Sequence, residues 1–308
     1  MAITVFSHAS CFLHDSGEHH PERPSRLSAI NDQLIRSGVE FIIQQRDATP
    51  ASKEDLYRVH DKLHVKTLLA MSPTEGYVRI DPDTQINPYS ITAALHAAGA
   101  AINAVDTVMA ANNQQAFCAV RPPGHHATRN QAMGFCLFNN IAVAAAYALE
   151  KYNLQRVAIV DFDVHHGNGT EDIFKEEPRV MLCSTFQENL YPPVDISTAS
   201  TLPELIIKIP LIAGCRSKAW QQQVSEHILP ALDKFAPELI LIAAGFDGHA
   251  EDEMSQFLLT EADYAWITTE LKLLADKHCH GRIVSTLEGG YALSALGRSV
   301  VAHLKAML

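Results

Sequence analysis

The sequence predicts a doubly wound α/β fold, with a central, mostly parallel sheet and helices on both faces. Seven short apolar runs are continuous rather than alternating, which is typical of strands buried on both faces of a sheet. Helical patterns lie between these runs, and strand–helix alternation is the signature of a parallel sheet. Hydrophobic residues make up 47% of the 308 residues, enough for a large core.

The predicted elements follow one another without interruption. The strands are expected at 3–6, 116–120, 157–162, 180–184, 205–209, 239–243 and 283–287. The helices are expected at 26–36, 91–111, 141–150, 220–234 and 261–278, and Thr260 is the expected N-cap of the last one. Because no repeat, low-complexity tract or linker divides this series, we expect a single domain over residues 1–308.

Charge and composition narrow the class of function. A net charge of −11 argues against binding nucleic acid through its phosphates and favours cationic substrates. The six cysteines are scattered and form no Cys-x-x-Cys pair, which predicts buried, reduced thiols. The first residues do not resemble a signal peptide, and no apolar run approaches the ~20 residues of a membrane span. We therefore expect a soluble cytoplasmic protein with no membrane partner.

Polar segments follow four of the predicted strands. They occupy residues 121–126, 161–169, 245–247 and 288–291. In open α/β sheets, ligands bind outside the carboxyl ends of the strands. The four segments therefore predict one active site at one edge of the sheet.

One of these segments has the ligands of a metal site. Asp161, Asp163 and His165 alternate as the chain leaves a strand, so their side chains share a face, and Asp247 arrives from another strand. A lone aspartate at a strand end more often caps a neighbouring helix. Burying so many ionisable groups without a metal would be costly, however. Histidine and carboxylate ligands with one open position indicate catalytic zinc.

Three further residues suggest the chemistry. His125 and His126 follow a rigid Arg-Pro-Pro-Gly turn, and imidazole is the usual base near neutral pH. Tyr291 follows two glycines, where a phenol could reach a substrate carbonyl and stabilise an oxyanion. Taken singly, each residue could instead be an ordinary buried side chain.

Five motifs in order resemble the arginase-fold histone deacetylase superfamily. They are RPPGHHA at 121–127, GFCLFNN at 134–140, DFDVHHGNGT at 161–170, AGFD at 244–247 and LEGGY at 287–291. Two features resemble the class II branch of this superfamily. They are the segment HPERPSRL at 20–27 and Asn168, which stands where class I members carry aspartate. That branch includes bacterial deacetylase-like amidohydrolases and acetylpolyamine amidohydrolases.

The resemblance implies a zinc-dependent deacetylase and a role for each site residue. Asp163, His165 and Asp247 match the zinc ligands, His126 the general base, and Tyr291 the residue that polarises the acyl carbonyl. The supporting residues are His125 beside the base, Asp161 behind His125, and Asn168 behind His126.

The resemblance also implies a substrate channel and a second cation. Gly134, Phe135, Tyr191 and Met254 match the walls and gate of an acyl-lysine channel. Asp161, Ser184 and Thr185, with the backbone of Asp163 and His165, match a structural potassium site, although Phe186 replaces a histidine that is frequent there.

Several alternatives stay open. The substrate could be an acylated lysine in a peptide or protein, or a small acetylated amine such as an acetylpolyamine, or the fold could be an inactive acyl-lysine-binding module. A binuclear manganese ureohydrolase shares the fold, but no second set of bridging carboxylates lies beside Asp163.

Relatives that favour polyamines place a glutamate at the gate of the channel. Here that position falls on Met254, which favours acyl-lysine, whereas a slip of one residue would place Glu253 there. Acyl length and oligomeric state stay open too.

Overall fold

The central sheet of the computed structural model contains eight parallel strands. The structure describes residues 3–111, 114–193 and 202–308. The strands in these ranges are β1 (Ile3–Ser7), β2 (Ile43–Asp47), β3 (Val78–Arg79), β4 (Gln85–Ile86), β5 (Gln115–Cys118), β6 (Val157–Asp161), β7 (Val180–Gln187), β8 (Ile206–Leu211), β9 (Leu239–Ala244) and β10 (Ile283–Leu287). The sheet order is β2-β1-β5-β10-β9-β6-β7-β8, and every neighbouring pair is parallel. β3 and β4 form a separate antiparallel pair.

Helices flank this sheet. They are α1 (Ser10–Leu13), α2 (Ser25–Ser37), α3 (Lys53–Tyr57), α4 (Lys62–Ala70), α5 (Ser90–Ala110), α6 (Asn140–Lys151), α7 (Asn168–Phe174), α8 (Ser217–Gln223), α9 (Leu229–Phe235), α10 (Glu261–His278) and α11 (Leu293–Met307). One group, α5 and α6, packs together and against the sheet, and a second group contains α2, α10 and α11. The predicted fold class is therefore confirmed. Helices that bury both faces of a parallel sheet explain the continuous apolar runs seen in the sequence.

The seven predicted strands are all present, with ends that differ by no more than three residues. The sequence pattern missed β2, where only the first of five residues is buried. An exposed edge strand of this kind carries no continuous apolar run. It also missed α11, whose glycine and valines lower its helix propensity. In the fold, Gly297 lets α11 approach α2 closely, because a Cβ there would lie 2.6 Å from the Ala29 carbonyl oxygen.

Two expectations about helices are corrected. The predicted helix 220–234 is divided into α8 and α9 by a π-helical turn at Val224–Ile228. Pro230 lies just after this turn, and proline cannot donate the hydrogen bond that a continuous α-helix requires. Contrary to the expectation from sequence, α5 is long and apolar enough to cross a membrane. Most of it is buried inside the protein, as in the core helix of a soluble domain.

Cysteine usage follows the prediction. All six cysteines lie in the described ranges, where each is buried and unbridged. Burial raises the pKa of the Cys118 and Cys183 thiols to about 12, so both stay protonated. These thiols act as small apolar side chains of the core.

Candidate active site

The four polar segments of the sequence follow four strands that are neighbours in the sheet. These strands are β5, β10, β9 and β6, in that spatial order. The segments come from distant parts of the chain, and the crossovers of the sheet bring their carboxyl ends to one edge. Their side chains therefore converge in one buried region, as the sequence predicted.

The expected metal ligands lie together at the base of this region. Potential ligand atoms of Asp163, His165 and Asp247 all lie within 4.8 Å of one another. The Nδ1 atom of His165 lies 3.0 Å from Asp163 Oδ1 and 3.1 Å from Asp247 Oδ2. All three residues are buried. One imidazole nitrogen and two carboxylates thus face a common point.

Backbone amides hold the two carboxylates in place. The amides of His165 and Gly289 donate to the two oxygens of Asp163 at 2.9 and 2.8 Å. The amide of Val164 donates to Asp247 Oδ1 at 3.0 Å. A Cβ at Gly289 would collide with both carboxylates, so the close approach of this backbone requires glycine. The cluster is therefore positioned by main chain from two strand ends.

The electrostatics of the cluster fit a cation. Burial and the neighbouring Asp163 raise the pKa of Asp247 to about 6. Burial opposes the charge of His165, but Asp163 and Asp247 raise its pKa to about 10. Two adjacent buried carboxylates need positive charge between them, which the proton of His165 supplies here. A divalent metal ion would meet that need, and two carboxylates with one imidazole form a donor set suited to zinc.

The two adjacent histidines have different partners. His125 Nδ1 lies 2.9 Å from Asp161 Oδ2, whereas His126 Nδ1 lies 2.8 Å from Asn168 Oδ1. A neutral amide oxygen accepts the Nδ1 proton of His126 and leaves Nε2 as its basic atom. The structure thus brings both predicted pairs together.

The two rings carry different charges, because their surroundings shift the two pKa values in opposite directions. Burial disfavours the charged form of His125, but Asp161 and Asp163 raise its pKa to about 10. Burial and repulsion from the His125 and His165 cations lower the pKa of His126 well below its usual value. His126 is therefore neutral and can accept a proton, whereas His125 carries a fixed charge beside it.

Tyr291 lies near the histidines and is held by Arg26. Arg26 donates through Nε to the Gly290 carbonyl at 2.7 Å, and its guanidinium lies 4.8 Å from the centre of the Tyr291 ring. Burial raises the pKa of Tyr291 well above its usual value. The phenol is therefore neutral and available as a hydrogen-bond donor.

A cavity of about 130 Å³ joins these residues. Both histidines, His165 and Tyr291 line it, together with all four residues predicted for the substrate channel, which are Gly134, Phe135, Tyr191 and Met254. Gly134 and Phe135 both have positive φ, at 56° and 67°. The Tyr191 ring meets His126 edge-on, with 5.2 Å between the ring centres. Met254 thus lines this cavity and Glu253 does not, and the role of Met254 as a gate stays a prediction.

Sequence reasoning assigned no individual role to three residues of this region. Asp83 and Pro123 also line the cavity, and the buried Glu288 bonds to the backbone of His125, which lines it. Glu288 Oε2 accepts from the amides of Gly124 and His125 at 2.6 and 3.1 Å, and burial raises its pKa to about 7. The position of Glu288 directly after a buried strand was the available signal for it. Asp83 precedes a two-residue strand, so no pattern pointed to it.

The residues of the predicted potassium site lie on β6 and β7. Asp161 is opposite Ser184 in the register of these strands. Ser184 Oγ lies 3.0 Å from His166 Nδ1, and Trp220 Nε1 donates to Thr185 Oγ1 at 3.1 Å. Potassium binding at this place stays a prediction.

Comparison with known proteins agrees with this geometry. The family model described as the histone deacetylase domain matches residues 20–307. The histone deacetylase-like amidohydrolase of Pseudomonas aeruginosa is 38% identical over 278 residues, which are 89% of this chain and 73% of that protein. A probable deacetylase of Archaeoglobus fulgidus is 37% identical over 95% of this chain and 82% of its own length. The crystal structure of the HDA15 HD domain matches with a TM-score of 0.93 and 33% identity, covering 99% of this chain and 88% of that one.

Proposed function

Because this chain belongs to the histone deacetylase family of hydrolases, we propose that it is a zinc-dependent amidohydrolase that removes acetyl or similar acyl groups from lysine side chains. The observation that carries the zinc proposal is the buried Asp163–His165–Asp247 cluster. Its donor atoms face one point, and His165 also lines a cavity that is bordered by a neutral imidazole and a phenol. This combination suits hydrolysis of an amide.

Zinc would be held by Asp163, His165 and Asp247, and when bound it would supply a Lewis acid that acidifies water and polarises a carbonyl. His126 accepts the proton of the attacking water at Nε2, since Nδ1 already donates its proton in a hydrogen bond to Asn168 Oδ1. Tyr291 donates its hydroxyl proton in a hydrogen bond to the acyl oxygen as negative charge develops there. His126 then returns the proton to the leaving amine. The products are a carboxylate and a free amine.

His125 has a supporting part in this scheme. Its ring lies against His126, with 4.0 Å between the ring centres, and Asp161 holds its Nδ1. Its positive charge lowers the pKa of His126 and so keeps the base unprotonated before water attacks. Asn168 adds no charge, so it orients the base without raising its pKa strongly.

The channel walls favour an acylated lysine. Phe135 and Tyr191 border the cavity and provide an apolar passage for the lysine methylenes. Met254 at the gate has no charge that would complement a second ammonium group. A small acetylated amine is the second candidate, and Asp83 favours it. This carboxylate also lines the cavity and could attract a cationic chain.

The proposal includes a structural potassium ion at Asp161, Ser184 and Thr185, supported by the family resemblance and the proximity of Asp161 to Ser184. It also includes a cytoplasmic location. The free, buried cysteines support a reducing compartment.

The test is a turnover panel on zinc-loaded protein. The substrates are an acetyl-lysine peptide, longer acyl-lysine peptides, acetylputrescine and acetylspermidine. We expect the highest kcat/KM with an acyl-lysine peptide. A preference for acetylspermidine would favour the second candidate. Binding of acyl-lysine without turnover of any substrate would contradict the enzyme proposal and indicate a binding module.

A further inference from the structure

The carboxylate of Asp252 links the loop after Asp247 to the backbone of Tyr291. Asp252 Oδ2 accepts from the amides of Tyr291 and Ala292 at 2.6 and 2.9 Å. The other oxygen, Oδ1, accepts from the amide of Met254 at 3.1 Å. One side chain therefore fixes the backbone of two residues whose side chains line the same cavity.

Asp252 differs from the acids on either side of it. It is only 6% exposed, whereas Glu251 and Glu253 are exposed. Glu251 pairs with Arg298 at 2.6 Å on the surface. Three backbone amides donate hydrogen bonds to Asp252, and a buried carboxylate bound in this way fixes a local backbone geometry. The acidic loop is thus not uniform, because its central residue belongs to the interior.

The two residues before Tyr291 have no side chains that could help to fix its position. Gly289 and Gly290 precede it, and Gly290 has a φ of 118°, which L side chains rarely adopt. Glycine leaves the backbone free to adopt many conformations. Contacts must therefore hold the phenol in place, and they include Arg26 and Phe135 against its ring and Asp252 on the Tyr291 amide.

We infer that Asp252 is a positioning residue for Tyr291, and that it couples the gate residue Met254 to the phenol. The inference rests on the proposed hydrolase function. An oxyanion donor must lie about 3 Å from the acyl oxygen, and misplacement by about 1 Å can cost on the order of a hundredfold in rate. A carboxylate that fixes the amides of Tyr291 and Ala292 sets where the phenol stands.

Asp252 also binds the amide of Ala292, the residue before the start of α11. A role in stabilising the fold must therefore be separated from a role in positioning Tyr291. Asp252→Asn keeps the size of the side chain and replaces one acceptor oxygen by an NH₂ donor, which cannot accept from an amide. Glu253→Gln removes one charge from the same loop and breaks none of these three bonds. It is the matched control and should retain wild-type rates.

We expect Asp252→Asn to lower kcat on an acetyl-lysine peptide by about tenfold, with little change in KM, zinc content or melting temperature. A trifluoroacetyl-lysine peptide should lose less than about threefold, because its electrophilic carbonyl depends less on the donor. In a Tyr291→Phe background, Asp252→Asn should add less than about twofold on either substrate, since the hydroxyl it positions is gone. A purely structural role would not produce this dependence on substrate and background.

Equal losses on both substrates, repeated in the Tyr291→Phe background, would overturn the inference. If Asp252→Asn fails to fold, Asp252→Glu takes its place, because it retains both acceptor oxygens and displaces them by one methylene. The same comparison of substrates and backgrounds then applies, with the same opposing results. Absence of turnover by the wild-type protein would instead reject the proposed function itself, and the two failures are therefore distinguishable.

Discussion

The inner end of the site and its mouth are built from different parts of the fold. The inner end consists of three residues that follow the ends of central strands, Asp163, His165 and Asp247, and backbone amides hold the two carboxylates. At the mouth, Met254 and Asp83 come from loops. The three residues of the inner end are buried, whereas at the mouth Met254 is partly exposed and Asp83 is exposed.

This difference separates chemistry from substrate choice. A parallel sheet fixes the relative positions of its strand ends, so groups placed there keep the geometry that catalysis needs. Loops vary more readily, and residues on them can change the accepted amine without disturbing the reaction. We therefore expect large losses of turnover from changes at the inner end and modest changes of specificity from the mouth.

The largest effect is expected at His126. His126→Ala should lower kcat by about a thousandfold or more across the pH range, with zinc retained, because the base that serves both water and leaving amine is lost. His125→Ala should be milder, since that ring contributes charge and orientation. Steady-state kinetics with metal analysis on both variants checks this order. A larger loss in His125→Ala would exchange the two roles.

A smaller loss is expected at Tyr291, between the inner end and the mouth. Tyr291→Phe removes only the hydroxyl, which as an oxyanion donor would contribute on the order of 3 kcal/mol, so kcat should fall by about a hundredfold. Folding and zinc content should be unchanged. A trifluoroacetyl substrate should suffer less than an acetyl substrate. Near-normal kcat on the acetyl substrate would show that Tyr291 is a structural residue.

The same difference between strand ends and loops explains how much of each region could be predicted from the sequence. The polar segments after β5, β6, β9 and β10 were visible because buried strands rarely end in dense Asp and His. A parallel sheet then implies that they meet. Only the structure shows that these four strands are neighbours, since the order of strands is determined by the crossovers and leaves no local pattern in the sequence. Glu288 was equally visible at a strand end, but its bonds to Gly124 and His125 join segments over 160 residues apart.

The mouth was less predictable. Met254 and Tyr191 were identified by family resemblance, and both line the cavity. Asp83 had no periodicity or motif to mark it. Asp252 was visible only as one of three consecutive acids, and its burial depends on the approach of the Tyr291 backbone. Loop conformation is set by such distant contacts, which a local sequence pattern does not contain.

The smallest effect is expected at the gate. Met254→Glu should raise kcat/KM for acetylspermidine relative to an acetyl-lysine peptide by about fivefold, the effect of a partly exposed ion pair. Glu253→Leu should change that ratio little, because Glu253 lies outside the lining of the cavity. Competition assays with both substrates measure the ratio directly. Loss of polyamine turnover in Glu253→Leu alone would place the gate one residue earlier.

The most direct test of the account is the metal content of the inner end. The wild-type protein should contain one tightly bound zinc per chain. Asp247→Ala removes one of three proposed protein ligands, and zinc content and deacylation should fall together while the fold is retained. Elemental analysis of the purified proteins, alongside circular dichroism, gives the result. Full zinc occupancy in Asp247→Ala would contradict the proposed metal site.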